Sequence, residues 1–166
     1  MQYPNALRLT RRLTLALTSI ALVSACASLQ KPVSVAETIA KTPELSTLSG
    51  LVKTSGLTET LQGTGPFTIF APSDAAFKAL KAGTLEDLGK HPEKLKDLLT
   101  YHAVPGAVAA KDVKNSTVKA VNGEPLALSK AGDFVTVENA MVVKADVMAS
   151  NGVIHIIDTV MTPPKK

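Results

Sequence analysis

Tryptophan is absent from this 166-residue chain, which holds only four phenylalanines and two tyrosines. Its core must therefore be built from Val, Leu, Ile and Ala. The one cysteine is Cys26. Beyond it the chain has no thiol, which excludes an internal disulfide, a thiolate metal site and a cysteine nucleophile. The three histidines, His91, His102 and His155, belong to no recognised metal-ligand pattern. No G-x-S-x-G elbow and no H-E-x-x-H helix is present. Lys and Arg never cluster with interleaved aromatics, so there is no nucleic-acid footprint. The net charge of +4 says little about partners, because Arg8, Arg11 and Arg12 supply three of those charges and leave the remainder near neutrality. Nothing here calls for a cofactor, and the residues taken alone point to a non-enzyme.

What is present begins with a leader. The three arginines stand without any acidic neighbour before an apolar stretch, Leu13–Ala25. That stretch is too short to span a bilayer and has the form of a signal peptide. Val23-Ser24-Ala25-Cys26 resembles a bacterial lipobox, in which the cysteine thiol takes a thioether-linked lipid and becomes the mature N-terminus. Ordinary cleavage after Ala27 also fits, since Ala25-Cys26-Ala27 reads as a small-residue site. The expectation is an exported chain: 1–26 as leader with Cys26 lipidated, 27–32 as tether, 33–163 as one domain and 164–166 as tail. It sits at the envelope through its lipid or, if plainly cleaved, is periplasmic or secreted.

The domain is organised around Gly65–Leu80. Phe67–Phe70 is an aromatic and β-branched run, the composition of a strand. Pro66 and Pro72 bound it, because proline cannot donate to a ladder. Ser73 then caps a helix, Asp74 suits the positive end of its dipole, and Phe77 with Leu80 gives it an apolar stripe.

Upstream, Ser34 and Glu37 form a capping box for a helix over Val35–Lys41. Pro43 breaks it, and Leu45, Leu48, Leu51 and Val52 mark one face of a second helix up to Gly56. Downstream, Thr84 is expected to cap a short helical turn over Leu85–Leu88. A longer helix follows from His91-Pro92 to Tyr101, with Leu95, Leu98 and Leu99 inward. Then the period changes. Thr117–Val121 and Pro125–Leu128 flank Asn122-Gly123 as a hairpin. Phe134–Glu138, Met141–Asp146 and Val153–Asp158 read as further strands. The last is apolar on both faces and should lie centrally. Helices first and strands later predict an α+β domain.

Three of these stretches, in this order, resemble the signature segments of the fasciclin-domain family. They are Gly65–Leu80, then Tyr101-His102-Ala103-Val104-Pro105-Gly106, then Asn151–Asp158. The resemblance implies a wedge-shaped, β-sandwich-like core with helices packed around it. It assigns structural motif positions to Thr68, Phe70, Ala71, Pro72, Ser73, Asp74 and Phe77, and to Asn151, Gly152, His155 and Asp158. Tyr101-His102 is the candidate interaction pair, because that region is implicated in cell adhesion in some animal members. The alternative is that the pair ties the long helix to the sheet through buried hydrogen bonds.

The functional expectation is an extracytoplasmic adhesion module that contacts a protein or extracellular polymer and meets the membrane through its lipid. The alternative is a carrier of an apolar ligand, since some algal members bind carotenoids and Met141, Met148 and Met161 crowd the last strands. A hydrolase would need His102 or His155 to meet a carboxylate in a pocket.

Overall fold

A computed structural model describes residues 33–164; the leader, the tether and Cys26 lie outside the described residues. Helices come first. They are α1 (Val35–Lys41), α2 (Ser46–Thr54), α3 (Thr58–Gln62), α4 (Asp74–Lys78), α5 (Thr84–Lys90) and α6 (Pro92–Tyr101). Strand β1 (Phe67–Pro72) is set between α3 and α4. The remaining strands follow α6: β2 (Ala103–Pro105), β3 (Ser116–Lys119), β4 (Pro125–Ala131), β5 (Phe134–Val137), β6 (Ala140–Ala149) and β7 (Gly152–Ile157).

The seven strands form one sheet in the order β2-β1-β7-β6-β5-β4-β3. It curls until the chain beyond β3 meets β2, where the Val121 amide donates to the Ala103 carbonyl at 2.7 Å. The result is a nearly closed barrel with helices around it, an α+β fold.

Strand β7 runs parallel to β1 over six residue pairs, from Phe67 beside Gly152 to Pro72 beside Ile157. Every residue of β7 is buried. Alternation sends its side chains to two interiors. Ile154 and Ile156 join Ile69, Ala71 and the helix residues Ile39, Leu48, Leu95 and Leu98 in one cluster. Ile157 joins Phe70, Leu126, Val137 and Met161 in the other, inside the barrel. Each large side chain so buried contributes roughly 1.5–3 kcal/mol, so a strand that feeds both cores outweighs any edge strand. A strand buried on both faces beside a parallel partner is what its unbroken apolar run predicts.

The helix caps mostly follow the sequence. The Ser34 hydroxyl accepts the Glu37 amide and the Ser73 hydroxyl accepts the Ala76 amide. Gly56, at φ +70°, ends the α2 region as expected. Four details differ. Gly83 at φ +86°, not Thr84, precedes α5, which extends to Lys90. Pro72 ends inside β1 rather than beyond it, because its missing donor faces no partner while the next amide, Ser73, donates to the Ile157 carbonyl. Asn122-Gly123 sits in a five-residue loop between paired Lys119 and Pro125, and Gly123 alone takes a positive φ, +88°. The methionines do not crowd together: Met161 is buried inside the barrel, whereas Met141 and Met148 are exposed.

Candidate interaction site

The expected site residues separate into five structural knots. Tyr101 and His102 close α6 and enter the sheet through β2. Both are buried, at 3 % and 2 % exposure. The Tyr101 hydroxyl donates to the Pro125 carbonyl at 3.3 Å. Burial raises its pKa, and the Glu138 and Glu124 carboxylates raise it further. His102 makes two opposed bonds. Its Nδ1–H donates to the Leu98 carbonyl at 2.8 Å, and its Nε2 accepts the Met161 amide at 3.0 Å. Burial pushes the imidazole down to about 4, against a smaller upward pull from the Leu98 carbonyl. A neutral ring with that tautomer ties the end of α6 to the segment after β7.

Asn151 joins three elements across the whole domain sequence. Its Oδ1 accepts the Val35 amide at the first turn of α1, at 2.8 Å. Its Nδ2 donates to the Leu61 and Gly63 carbonyls at 2.8 and 2.9 Å. Its own carbonyl accepts the Phe67 amide at 3.0 Å. Gly152 beside it lies so close to β1 that a Cβ there would stand 2.2 Å from the Phe67 carbonyl oxygen. Only glycine admits that approach.

His155 lies inside β7 and stacks on Phe70, its neighbour in β1, with ring centres 5.5 Å apart. Its Nε2–H donates to the Val108 carbonyl at 2.9 Å, and its Nδ1 accepts the Asp146 amide at 3.2 Å. Thr68 completes this knot: its hydroxyl donates to the Gly106 carbonyl and accepts the Val108 amide. The Asp146 carboxylate accepts the Ala110 amide, and the Lys130 ammonium donates to the Ala110 and Lys111 carbonyls. Four side chains from four strands therefore strap down 106–111. Sequence reasoning missed Asp146 and Lys130 entirely, because nothing local marks a residue that serves a loop 20 or 36 positions away.

Asp74 works across the helices rather than within its own. It accepts the Ser46 hydroxyl at 2.6 Å and the Thr47 amide at 2.8 Å, so it caps α2 from α4. Partial burial pulls its pKa up, but those hydrogen bonds outweigh it and leave the carboxyl below the usual range. Asp158 closes β7 by accepting the Met141 amide at 2.8 Å while its own amide donates back to the Met141 carbonyl.

Among the described residues, no buried side-chain polar atom lacks a partner, and no three His, Cys, Asp or Glu gather as metal ligands. Both buried imidazoles have their two nitrogens engaged by backbone groups. Asp146, whose amide donates to His155, has its carboxylate turned to the Ala110 amide. The apolar cavity between α2, α6 and β1, lined by Leu48, Val52, Phe67 and Leu99, encloses about 40 Å³.

The sequence model described as the fasciclin domain matches residues 43–163. The chain belongs to the fasciclin-domain family. Its fold agrees: the structure of a domain pair from the insect cell adhesion molecule fasciclin I superposes with a TM-score of 0.62 at 23 % identity, covering 74 % of this chain and 46 % of that one. Two bacterial proteins are similar to this chain in sequence. Protein sll1483 of Synechocystis is 44 % identical over 140 residues, covering 83 % of this chain and 78 % of its own. The cell surface glycolipoprotein MPB83 of Mycobacterium bovis is 34 % identical over 135 residues, covering 78 % and 60 %. No helix among the described residues is long and apolar enough to cross a membrane.

Proposed function

We propose that this fasciclin domain is an extracytoplasmic, non-catalytic adhesion module, held to the envelope by a lipid on Cys26 and presented to a protein or extracellular polymer. The observation that carries the reading is the fate of the motif side chains. Tyr101, His102, Asn151, His155 and Thr68 are committed to bonds inside the domain. Their role is then to hold a rigid body. Partner contacts fall to the exposed loops and to the outer sheet face, where Phe134 stands 67 % exposed. Two relatives support the setting: one is named a cell adhesion molecule and another a cell surface glycolipoprotein.

An apolar ligand has weaker support. The apolar cavity between α2, α6 and β1, at about 40 Å³, is well short of the ~150 Å³ that accommodates even benzene, and the larger grooves are open to solvent instead of enclosing a ligand. The test is genetic. Deleting the gene should reduce attachment of the producing cells to surfaces. The intact gene should restore it, and a Cys26→Ser version should not. Unchanged attachment over several surface chemistries would overturn the adhesive reading.

A further inference from the structure

We infer that the end of the domain where the chain enters at Val33 rests against the phospholipid surface, with the groove between 62–66 and 148–152 facing the headgroups. This rests on the reading of Cys26 as lipidated.

Three observations converge on that end. First, the entry point is fixed to it. The Val33 carbonyl accepts the Ser150 amide at 2.8 Å, and the Val35 amide donates to Asn151. The chain therefore leaves the domain beside the β6–β7 turn. Second, seven peptide steps separate Cys26 from Val33, and even fully extended they reach at most about 25 Å. A domain of this length is roughly 35 Å across, so the anchored molecule cannot turn its opposite end to the lipid.

Third, the two ends differ in chemistry. The groove, about 600 Å³ and open, is lined by eleven residues of which none is charged. Met148 stands 70 % exposed there, and Thr64, Pro66 and Ala107 are exposed with it. Uncharged polar groups and a flexible thioether enter a headgroup layer without stripping water from an ion. Beyond the other end of β7, the residues Thr162–Pro164 share a groove with Asp87, Lys94, Asp97 and Glu124. Burying that end would desolvate several charges.

Because the sequence beyond Cys26 has no cysteine, single-cysteine variants are straightforward, and a lipidated Cys26 thiol is unavailable to a label. Full-length chain bearing Met148→Cys, Thr64→Cys or, in the first turn of α6 beside Lys94 of the charged groove, Glu93→Cys would be produced with its leader, labelled with an environment-sensitive fluorophore and reconstituted. The vesicles would be phosphatidylethanolamine and phosphatidylglycerol doped with a doxyl-lipid quencher. Labels at 148 and 64 should be quenched several-fold more strongly than the label at 93. Equal quenching at all three, or stronger quenching at 93, overturns the orientation while leaving the anchor intact. An intact mass without diacylglycerol overturns the anchor itself, and the orientation with it.

Discussion

His102 is the residue whose chemistry most clearly separates folded from unfolded chain. Its ordinary value is 6.5, and burial in the folded domain lowers it to about 4. The unfolded chain takes up a proton below pH ~6.5 that the folded chain refuses until about pH 4. Stability from this group is therefore complete above pH 6.5 and falls between 6.5 and 4, by up to about 3 kcal/mol. In urea titrations across that range, a His102→Gln variant should be less stable at pH 7 yet lack this component of the slope. A parallel decline in variant and wild type would show that other groups carry the acid sensitivity. Asp74 acts in the same sense but lower on the scale. Its lowered pKa means that its cap on α2 is present above the ordinary carboxyl value and lost as pH falls through its folded value. Asp74→Ala should cost about 1 kcal/mol at pH 7, with the difference from wild type vanishing in strong acid. The sequence had placed Asp74 at the start of its own helix. The missing half, its reach to Ser46 and Thr47, depends on two helices packing together, and no local pattern records that.

Among the elements, the β7 entry carries the sharpest expectations. Asn151→Ala leaves the Val35 amide and the Leu61 and Gly63 carbonyls without their partner. At 1–3 kcal/mol for each buried group left unmatched, a loss of roughly 3 kcal/mol or more should appear in urea unfolding. Asn151→Asp keeps the acceptor for Val35 and should recover part of it. The strap over 106–111 makes a different prediction. Asp146→Asn and Lys130→Met should speed hydrogen exchange at Val108 and Ala110 while leaving the unfolding midpoint little changed; uniform acceleration across the domain would contradict a local strap. Elements built on local chemistry were legible in the residues alone: the Ser34 and Ser73 caps, the Leu stripe of α6, the doubly apolar β7. Strand β6 was read short because its register shifts between Val142 and Lys144 and again between Lys144 and Val147, so its alternation breaks just where the sheet bends. Asp146 takes φ +56° in that irregular stretch, a conformation fixed by the barrel and not by its neighbours.

At the level of the whole molecule, the order of strands in space departs furthest from their order along the chain. The α+β class followed from a change of period near Tyr101, and the central place of the last strand from its apolar faces. The seven-strand order did not, because partners as distant as Phe67 and Gly152 leave no mark in a short window. A chain ending at Ala149 would keep six strands but lose the one that separates β1 from β6. It should show no cooperative thermal transition, and a sharp transition in calorimetry would refute the central role given to β7. That arrangement also governs how the protein is born. The ribosome makes β7 after all six strands it must join, so the domain cannot complete its interior until Gly152–Ile157 have emerged. A chain kept open in this way would stay threadable through a narrow translocation channel, as the proposed export requires, until that strand is made.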